Sequence, residues 1–367
     1  MSNNFSVKIF NEINDELFNN WTFLEKNSNI SLFQSLSWFE SWYENIFDKT
    51  KNILRVYCFY NKIKEPEIIF PLIIKKKFNL KICEFFNQNL SDYNYMLVKR
   101  DCQLNNLDIW DNLTDDLKKN CDLIHFERLP NEINGISNDL KFFNNKIIKK
   151  ESYINFSNGQ NIKFSTLQKQ LPSNLKRKEG NLNKVVDFCY NNIKATNYND
   201  FMTSLFNLKI KQYKRTGARN IFADEIICFY KHFFKKHTDI KPFLSAIVEK
   251  NNNKIIAGTF SFIYKSTFFW LFPVYDNYYK KFSPGLIYMK YLFSDLSDNY
   301  KINQFDFGVG DETYKLALSN KKIVLYDYYK YFSVNGLFFI LIYKVFYSLK
   351  NNAFLRPVLM KLYSIFK

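Results

Sequence analysis

Between residues 243 and 332 the sequence switches repeatedly between two hydrophobic periods, and that order leaves few folds open. Three strand-like runs come first, 243-FLSAIVEK-250, 254-KIIAGTFSFIY-264 and 267-TFFWLFPVY-275. Each is rich in β-branched and aromatic residues, and the turn 251-NNNK-254 makes a hairpin of the first two. A helical period follows over 284–299, then a strand at 303–308, a short helix near 311–319 and a strand over 322–332. Upstream, a basic segment, 171-LPSNLKRKEGNLNK-184, precedes a helix over 199–215. That helix carries Phe201, Leu205 and Leu208 on one face and stops at Gly217, a suitable left-handed C-cap. A further helix covers 223–236.

The first half follows a similar plan. Residues 6–10 read as a strand, 13–26 as a helix, and 37–47 as a helix with Ser37 as N-cap. Strands at 52–60, 67–74 and 81–86 precede a helix near 104–119 and a strand over 121–129. The expected fold is α/β (α+β): two domains, each a mixed, mostly antiparallel twisted sheet flanked by helices. Their expected bounds are 1–160 and 161–335, with a basic helical tail over 336–367. The halves are compatible with distant copies of one unit, and no repeat of solenoid length is visible.

Composition sets the limits. At 367 residues and 47% hydrophobic content the chain can bury a sizeable core. With 40 Phe, 25 Tyr and abundant lysine, a single aromatic or lysine is weak functional evidence. The net charge of +17 suits nucleic acid, an anionic membrane or an anionic cofactor, and equally a surface of solvated lysines. Cys58, Cys83, Cys102, Cys121, Cys189 and Cys228 form no C-x-x-C, so they read as buried thiols in a reducing compartment. The N-terminus shows no signal-peptide pattern, and the apolar run Leu337 to Tyr343 is far shorter than the roughly 20 residues of a membrane span. A cytoplasmic location is expected.

The chemistry centres on 281-KFSPGLIYMKYLF-293. Ser283 suits an N-cap and Pro284 the first helical position, which is an ordinary helix start. Leu286 stands where a capping box needs Glu, so the N–H groups of Gly285, Leu286 and Ile287 are expected to be open to a diphosphate. Lys280 and Lys281 add charge beside them. In 305-FDFGVGDETYK-315, Asp306 lies between phenylalanines, where burial raises a carboxyl pKa towards that of a general base. A structural turn cap explains Asp306 equally well. Gly308 and Gly310 permit a sharp turn, after which Glu312, Tyr314 and Lys315 begin a helix. Tyr314 is a candidate proton donor to a leaving thiolate. Ser91, Asp92 and Tyr93 read as an Asx-type turn, and Lys176, Arg177 and Lys178 as a solvated or anion-steering basic face. His125 reads as a satisfied core histidine. His232 and His237 lack a third ligand, so no metal is expected. No Walker or Gly-x-Ser-x-Gly motif is present.

These segments, taken in order, resemble the CelD-like acetyltransferase family of the GNAT superfamily, which is related to the tandem-GNAT, FemAB-like transferases. The resemblance rests on 33-FQSLSWFESWYE-44, 71-PLIIKKK-77, 91-SDYNYML-97, 171-LPSNLKRKEGNL-182, 207-NLKIKQYKRTGARNIF-222, 256-IAGTFSFIY-264, 275-YDNYYKKFSPGLIYMKY-291 and 305-FDFGVGDETYKLAL-318. It covers about residues 30–330. The phosphate loop departs from the usual GNAT pattern, offering Lys-Phe-Ser-Pro-Gly without Gln or Arg and without the further small residues.

The resemblance implies an acyltransferase using acetyl-CoA or another acyl-CoA, with Lys280, Lys281, Ser283, Gly285 and Leu286 at the donor. Asp306 and Tyr314 would border the acyl-transfer centre. Asp92, Tyr93, Arg177, Glu312 and Lys315 would face a small-molecule or glycan acceptor of envelope polysaccharide synthesis. Aminoacyl-tRNA as donor, or a non-catalytic scaffold of a polysaccharide assembly, are the alternatives. The acid-free tail from Gly336, with Lys344, Lys350, Arg356, Lys361 and Lys367, suits the inner face of an anionic membrane or the protein's own surface.

Overall fold

The computed structural model describes residues 5–349 except 78, 103–106, 142, 145, 194–197, 218, 219 and 236–238. The first half contains β1 (Ser6–Phe10), α1 (Asp15–Asn27), α2 (Leu36–Asn45), β2 (Asn52–Tyr60), β3 (Pro66–Lys77) and β4 (Leu80–Phe85). It continues with β5 (Leu97–Val98), α3 (Leu107–Asn120), β6 (Leu123–Pro130), β7 (Glu132–Ile133), β8 (Ile136–Ser137) and β9 (Ile147–Phe156). The second half opens with α4 (Phe164–Lys169), α5 (Leu175–Asn183), β10 (Phe188–Asn192), α6 (Tyr198–Thr216) and α7 (Asp224–Lys235). Then come β11 (Ile240–Glu249), β12 (Ile255–Tyr264), β13 (Thr267–Tyr275), α8 (Pro284–Asn299), β14 (Gln304–Val309), α9 (Thr313–Leu318), β15 (Lys321–Tyr331) and α10 (Val334–Leu349).

The main sheet has 13 strands, in the order β1-β2-β3-β4-β6-β15-β9-β14-β13-β12-β11-β10, with β5 beside β3. Its pairings are antiparallel except at two equivalent places, β4 with β6 and β13 with β14. Each parallel step is bridged by one helix, α3 or α8, as a parallel connection requires. The two halves therefore repeat one plan. They also exchange strands. β15, from the end of the chain, pairs with β6, and β9, from the first half, pairs with β14. β9 and β15 then pair with each other and close the sheet at its middle.

The capping of α2 differs from the expectation. Ser35, not Ser37, is its N-cap, and its Oγ accepts the Trp38 N–H at 3.2 Å. A tight turn over Leu32–Gln34, closed by a reciprocal Ser31–Gln34 capping box, delivers the chain to Ser35 two residues early. Gly217 follows α6 with φ +69°, as a left-handed cap requires. Cys58, Cys83 and Cys121 are buried, but Cys228 is exposed, so the thiols are not uniformly buried as expected.

α1, α2, α6 and α7 cover one face and share an aromatic core that crosses between the halves. Trp38 of α2 meets Phe229 at 4.7 Å and Phe262 edge-on, and stacks on Phe233. Ser41 donates to the Phe229 carbonyl at 2.8 Å. α4, α5 and α8 cover the second half's other face, over Phe268 and Phe305 of the sheet.

α10 lays Phe339 and Ile340 on Leu80, Ile82 and Leu123. Among the described residues no helix is long and apolar enough to cross a membrane. The tail's remainder, 350–367, lies outside the described residues.

Candidate active site

The parallel pairing of β13 with β14 is short, joining only Thr267–Phe269 to Gln304–Asp306. Beyond Phe269 the two strands part. A cavity of about 560 Å³ opens there, lined by Trp270, Pro273 and Tyr275 of β13, the start of α8, and Lys209, Glu312 and Tyr314. A larger groove of about 830 Å³ lies over α6 and the β11–β12 turn, lined by Asp200, Asn207, Lys211 and Asp276. It gathers no buried acid–base group, whereas the smaller cavity gathers several.

At one end of the smaller cavity is the N-terminus of α8. Ser283 has φ +55°, and its side chain makes no cap. Instead its Oγ accepts from Lys178 Nζ at 2.7 Å. Its carbonyl accepts the Leu286 and Ile287 N–H groups at 3.0 and 3.2 Å, so these donors are engaged, contrary to expectation. Ser283 is the N-cap, and its carbonyl takes the first intrahelical bond from Ile287 as at any helix start, with a tighter bond from Leu286 beside it. The Gly285 N–H makes no such bond among the described residues. A Cβ built on Gly285 meets nothing within 4 Å, so its face is open to the cavity. Lys280 lines the cavity, whereas Lys281 lies over the Phe282 ring at 5.0 Å.

The acid–base groups line the same cavity. Lys209 projects from the apolar stripe of α6 formed by Met202, Leu205 and Phe206. Its Nζ donates to the Pro273 carbonyl at 3.0 Å, and burial pulls its pKa down to about 8. The Tyr314 hydroxyl accepts from Trp270 Nε1 at 3.2 Å, and burial keeps the phenol protonated. Lys315 is 5% exposed, pairs with Glu312 at 2.9 Å and donates to the Val309 carbonyl.

Asp306 lies behind this wall and does not line the cavity. It is 2% exposed. Its Oδ1 accepts the Gly308 N–H at 2.8 Å and its Oδ2 the Tyr93 hydroxyl at 2.7 Å. Burial raises its pKa to about 7, against the opposing effect of those bonds. With that proton given to Asp306, the Tyr93 oxygen accepts from the Ser152 hydroxyl of β9 at 2.8 Å, which ties three segments together. Asp92 sits at the same turn, its Oδ2 2.9 Å from where a Gly308 Cβ would be, and its Oδ1 3.6 Å from Arg128.

The structure thus brings Lys280, Ser283, Gly285, Leu286, Glu312 and Tyr314 to one cavity. Asp306, Tyr93, Asp92 and Lys315 stand just behind it, while Arg177 is exposed on α5. Lys209 was missed by sequence reasoning, although a lysine within an apolar helical stripe is itself a signal. Lys178 was read only as part of a basic run.

Residues 172–316 match a family model described as an acetyltransferase (GNAT) domain. No curated protein sequence matches the chain. Among solved structures, FemX is similar over 91% of this chain and 99% of its own, at 11% identity and a TM-score of 0.56. A tandem GNAT protein from the clavulanic acid biosynthesis pathway covers 90% of this chain and 99% of its own, at 8% identity and 0.53. L-PGS from Bacillus licheniformis covers 90% and 96%, at 13% identity and 0.51. Residues 172–316 thus resemble a GNAT acetyltransferase domain, and the fold of the chain is that of the tandem-GNAT, FemAB-like proteins.

Proposed function

We propose that the chain moves an acyl group, acetyl in the simplest case, from acyl-CoA to an amine or hydroxyl. The acceptor class is a sugar, polysaccharide precursor or lipid-linked intermediate, following the CelD-like motifs. One observation carries the reading. A single cavity is lined both by an open helix start with Lys280 and by a buried lysine and a protonated tyrosine. The helix start suits a diphosphate and the acid–base pair a thioester.

In the reaction the acceptor nitrogen or oxygen attacks the thioester carbonyl carbon. The new C–N or C–O bond forms and the C–S bond breaks. Lys209 takes the acceptor's proton, and Tyr314 gives one to the departing sulfur. Solvent exchange between these two restores both, so the net proton passes from acceptor to thiol. Asp306, Tyr93 and Asp92 are assigned as positioning groups that hold the Gly308 turn, and Glu312 as an acceptor contact. Arg177 and Lys178 steer the anionic donor.

The test is thermal shift. Acetyl-CoA should raise the melting temperature, and Gly285→Glu should abolish that rise while leaving the unliganded protein as stable as wild type. No shift with any acyl-CoA would overturn the reading. The net charge of +17 and the likeness to FemX favour one alternative, an aminoacyl-tRNA donor. A salt-sensitive shift with tRNA alone would select it. Failure of both donors would leave the scaffold.

A further inference from the structure

Outside the acyl-transfer cavity, the buried cluster His125, Glu127 and Asp327 sits between β6 and β15. A β-bulge assembles it. Phe126 pairs with Tyr328 and Leu129 with Tyr326, so Glu127 and Arg128 together face Asp327 alone. Arg128 carries the bulge with φ +57°, a conformation that a bulky side chain adopts only under constraint. The Arg128 N–H binds Asp327 Oδ1 at 3.0 Å and holds that carboxylate in place. His125 and Glu127, two apart on β6, share a face, and the bulge aims Asp327 at the same point.

Three carboxylate or imidazole groups converge there, with ligand atoms all within 4.8 Å of one another. His125 Nε2 is already 3.4 Å from Glu127 Oε1. Tetrahedral zinc ligands stand roughly 3.3 Å apart, so side-chain closure of about 1.5 Å at most completes the set. The second observation is His125 itself. It is 6% exposed, and its Nε2 has no hydrogen-bond partner among the described residues. The histidine is therefore buried but not satisfied, unlike the sequence expectation. Its ring is held flat against Tyr329 at 4.6 Å and edge-on to Tyr343 at 5.3 Å, which leaves the nitrogen aimed at the carboxylates. A cavity of about 60 Å³, lined by Gln88, Glu127 and Tyr343 among others, lies alongside. It has room for about one or two waters, enough for a fourth ligand.

We propose that His125, Glu127 and Asp327 bind one divalent transition-metal ion of the zinc class. A neutral imidazole and two carboxylates balance a 2+ charge, and nitrogen–oxygen donors suit zinc over calcium or magnesium. Arg128 stands 3.9 Å from Glu127 Oε2, the oxygen turned away from His125. It neutralises that side while Oε1 faces the ion. The ligands come from residues 125 and 127 of β6 and 327 of β15, so the ion fastens the exchanged strand to the first half's sheet.

The full chain, stripped with chelator, is titrated with zinc chloride, and separately with cobalt(II). One ion per chain should bind. At zinc about 100-fold above its Kd, the melting temperature should rise by about 3 °C. His125→Phe keeps the ring stacking and Asp327→Asn keeps an acceptor for Arg128; each should lose the rise. The cobalt spectrum should show nitrogen–oxygen coordination with no thiolate charge-transfer band. Overturning results are no saturable binding, a rise unchanged in both variants, or a thiolate band, which would point to a cysteine such as Cys228. Should either variant fail to fold, the wild-type stoichiometry and cobalt spectrum decide alone.

Discussion

Asp306 and Lys209 show how burial alone moves a titration into the working range. Asp306 was visible as a carboxylate between phenylalanines, and its raised pKa was anticipated. Its sealing behind the cavity is not legible in the sequence, because Tyr93 reaches it from more than 200 residues away and is itself held by Ser152. Its ordinary value of 3.8 becomes about 7 in the fold. An acid raised in this way favours the fold in its neutral form. That contribution is complete below pH 3.8 and is lost as pH rises through 7. Urea unfolding between pH 4 and 7.5 should therefore show wild type losing stability relative to Asp306→Asn, by up to about 4 kcal/mol. A constant difference across that range would refute the assignment. Lys209 was hidden by the abundance of lysine, which made each one uninformative by itself. As the proton acceptor it must be neutral, so kcat/KM should climb with pH through a limb near 8. Lys209→Met should remove that limb and cut kcat by about 10²–10⁴-fold. A rate that falls above pH 8 would instead mean that the ammonium form is needed.

Element order was largely readable because the central strands are short, continuous apolar runs, buried on both faces in β3, β6 and β12, and the turns carry Asn and Gly. β9 escaped because its centre, Lys149 to Ser152, is polar, and its place between β14 and β15 depends on partners far along the chain. The start of α8 is legible in Ser-Pro, but only the Gly285 N–H of its three expected donors stays open, because the N-cap carbonyl takes the first helical bond from Ile287 and a tighter one from Leu286. The turn after β14 is more demanding. Gly308 has φ +73°, and a Cβ there would lie 2.9 Å from Asp92 Oδ2. Gly308→Ala should cost about 1–2 kcal/mol and lower kcat through the displaced α9, as denaturant titration and kinetics would show. On α10, Val334, Phe338, Leu341, Ile342 and Val345 are exposed along one side, while Phe339 and Ile340 face the protein. We propose an anionic membrane surface as the partner of this stripe. Phe338→Glu combined with Ile342→Glu should abolish co-sedimentation with anionic liposomes and spare acetyl-CoA binding. Undiminished sedimentation would reject the stripe as the contact.

At the scale of the whole molecule the halves depend on one another through Trp38, which sits among Phe229, Phe233 and Phe262 of the second half. Trp38→Ala should cost about 3–5 kcal/mol and unfold both halves in one transition, checked by calorimetry. Two uncoupled transitions would contradict a shared core. The strand exchange has a consequence for synthesis. As the chain emerges, the first half lacks the strand beside β6 until residues 321–331 have been made. Its sheet waits with an open edge through the translation of nearly 200 residues, and closes only when the last strand arrives. The ribosome thus completes the two halves together, and a chain cut short anywhere before β15 leaves both an unpaired strand and a surface on which other chains can stack.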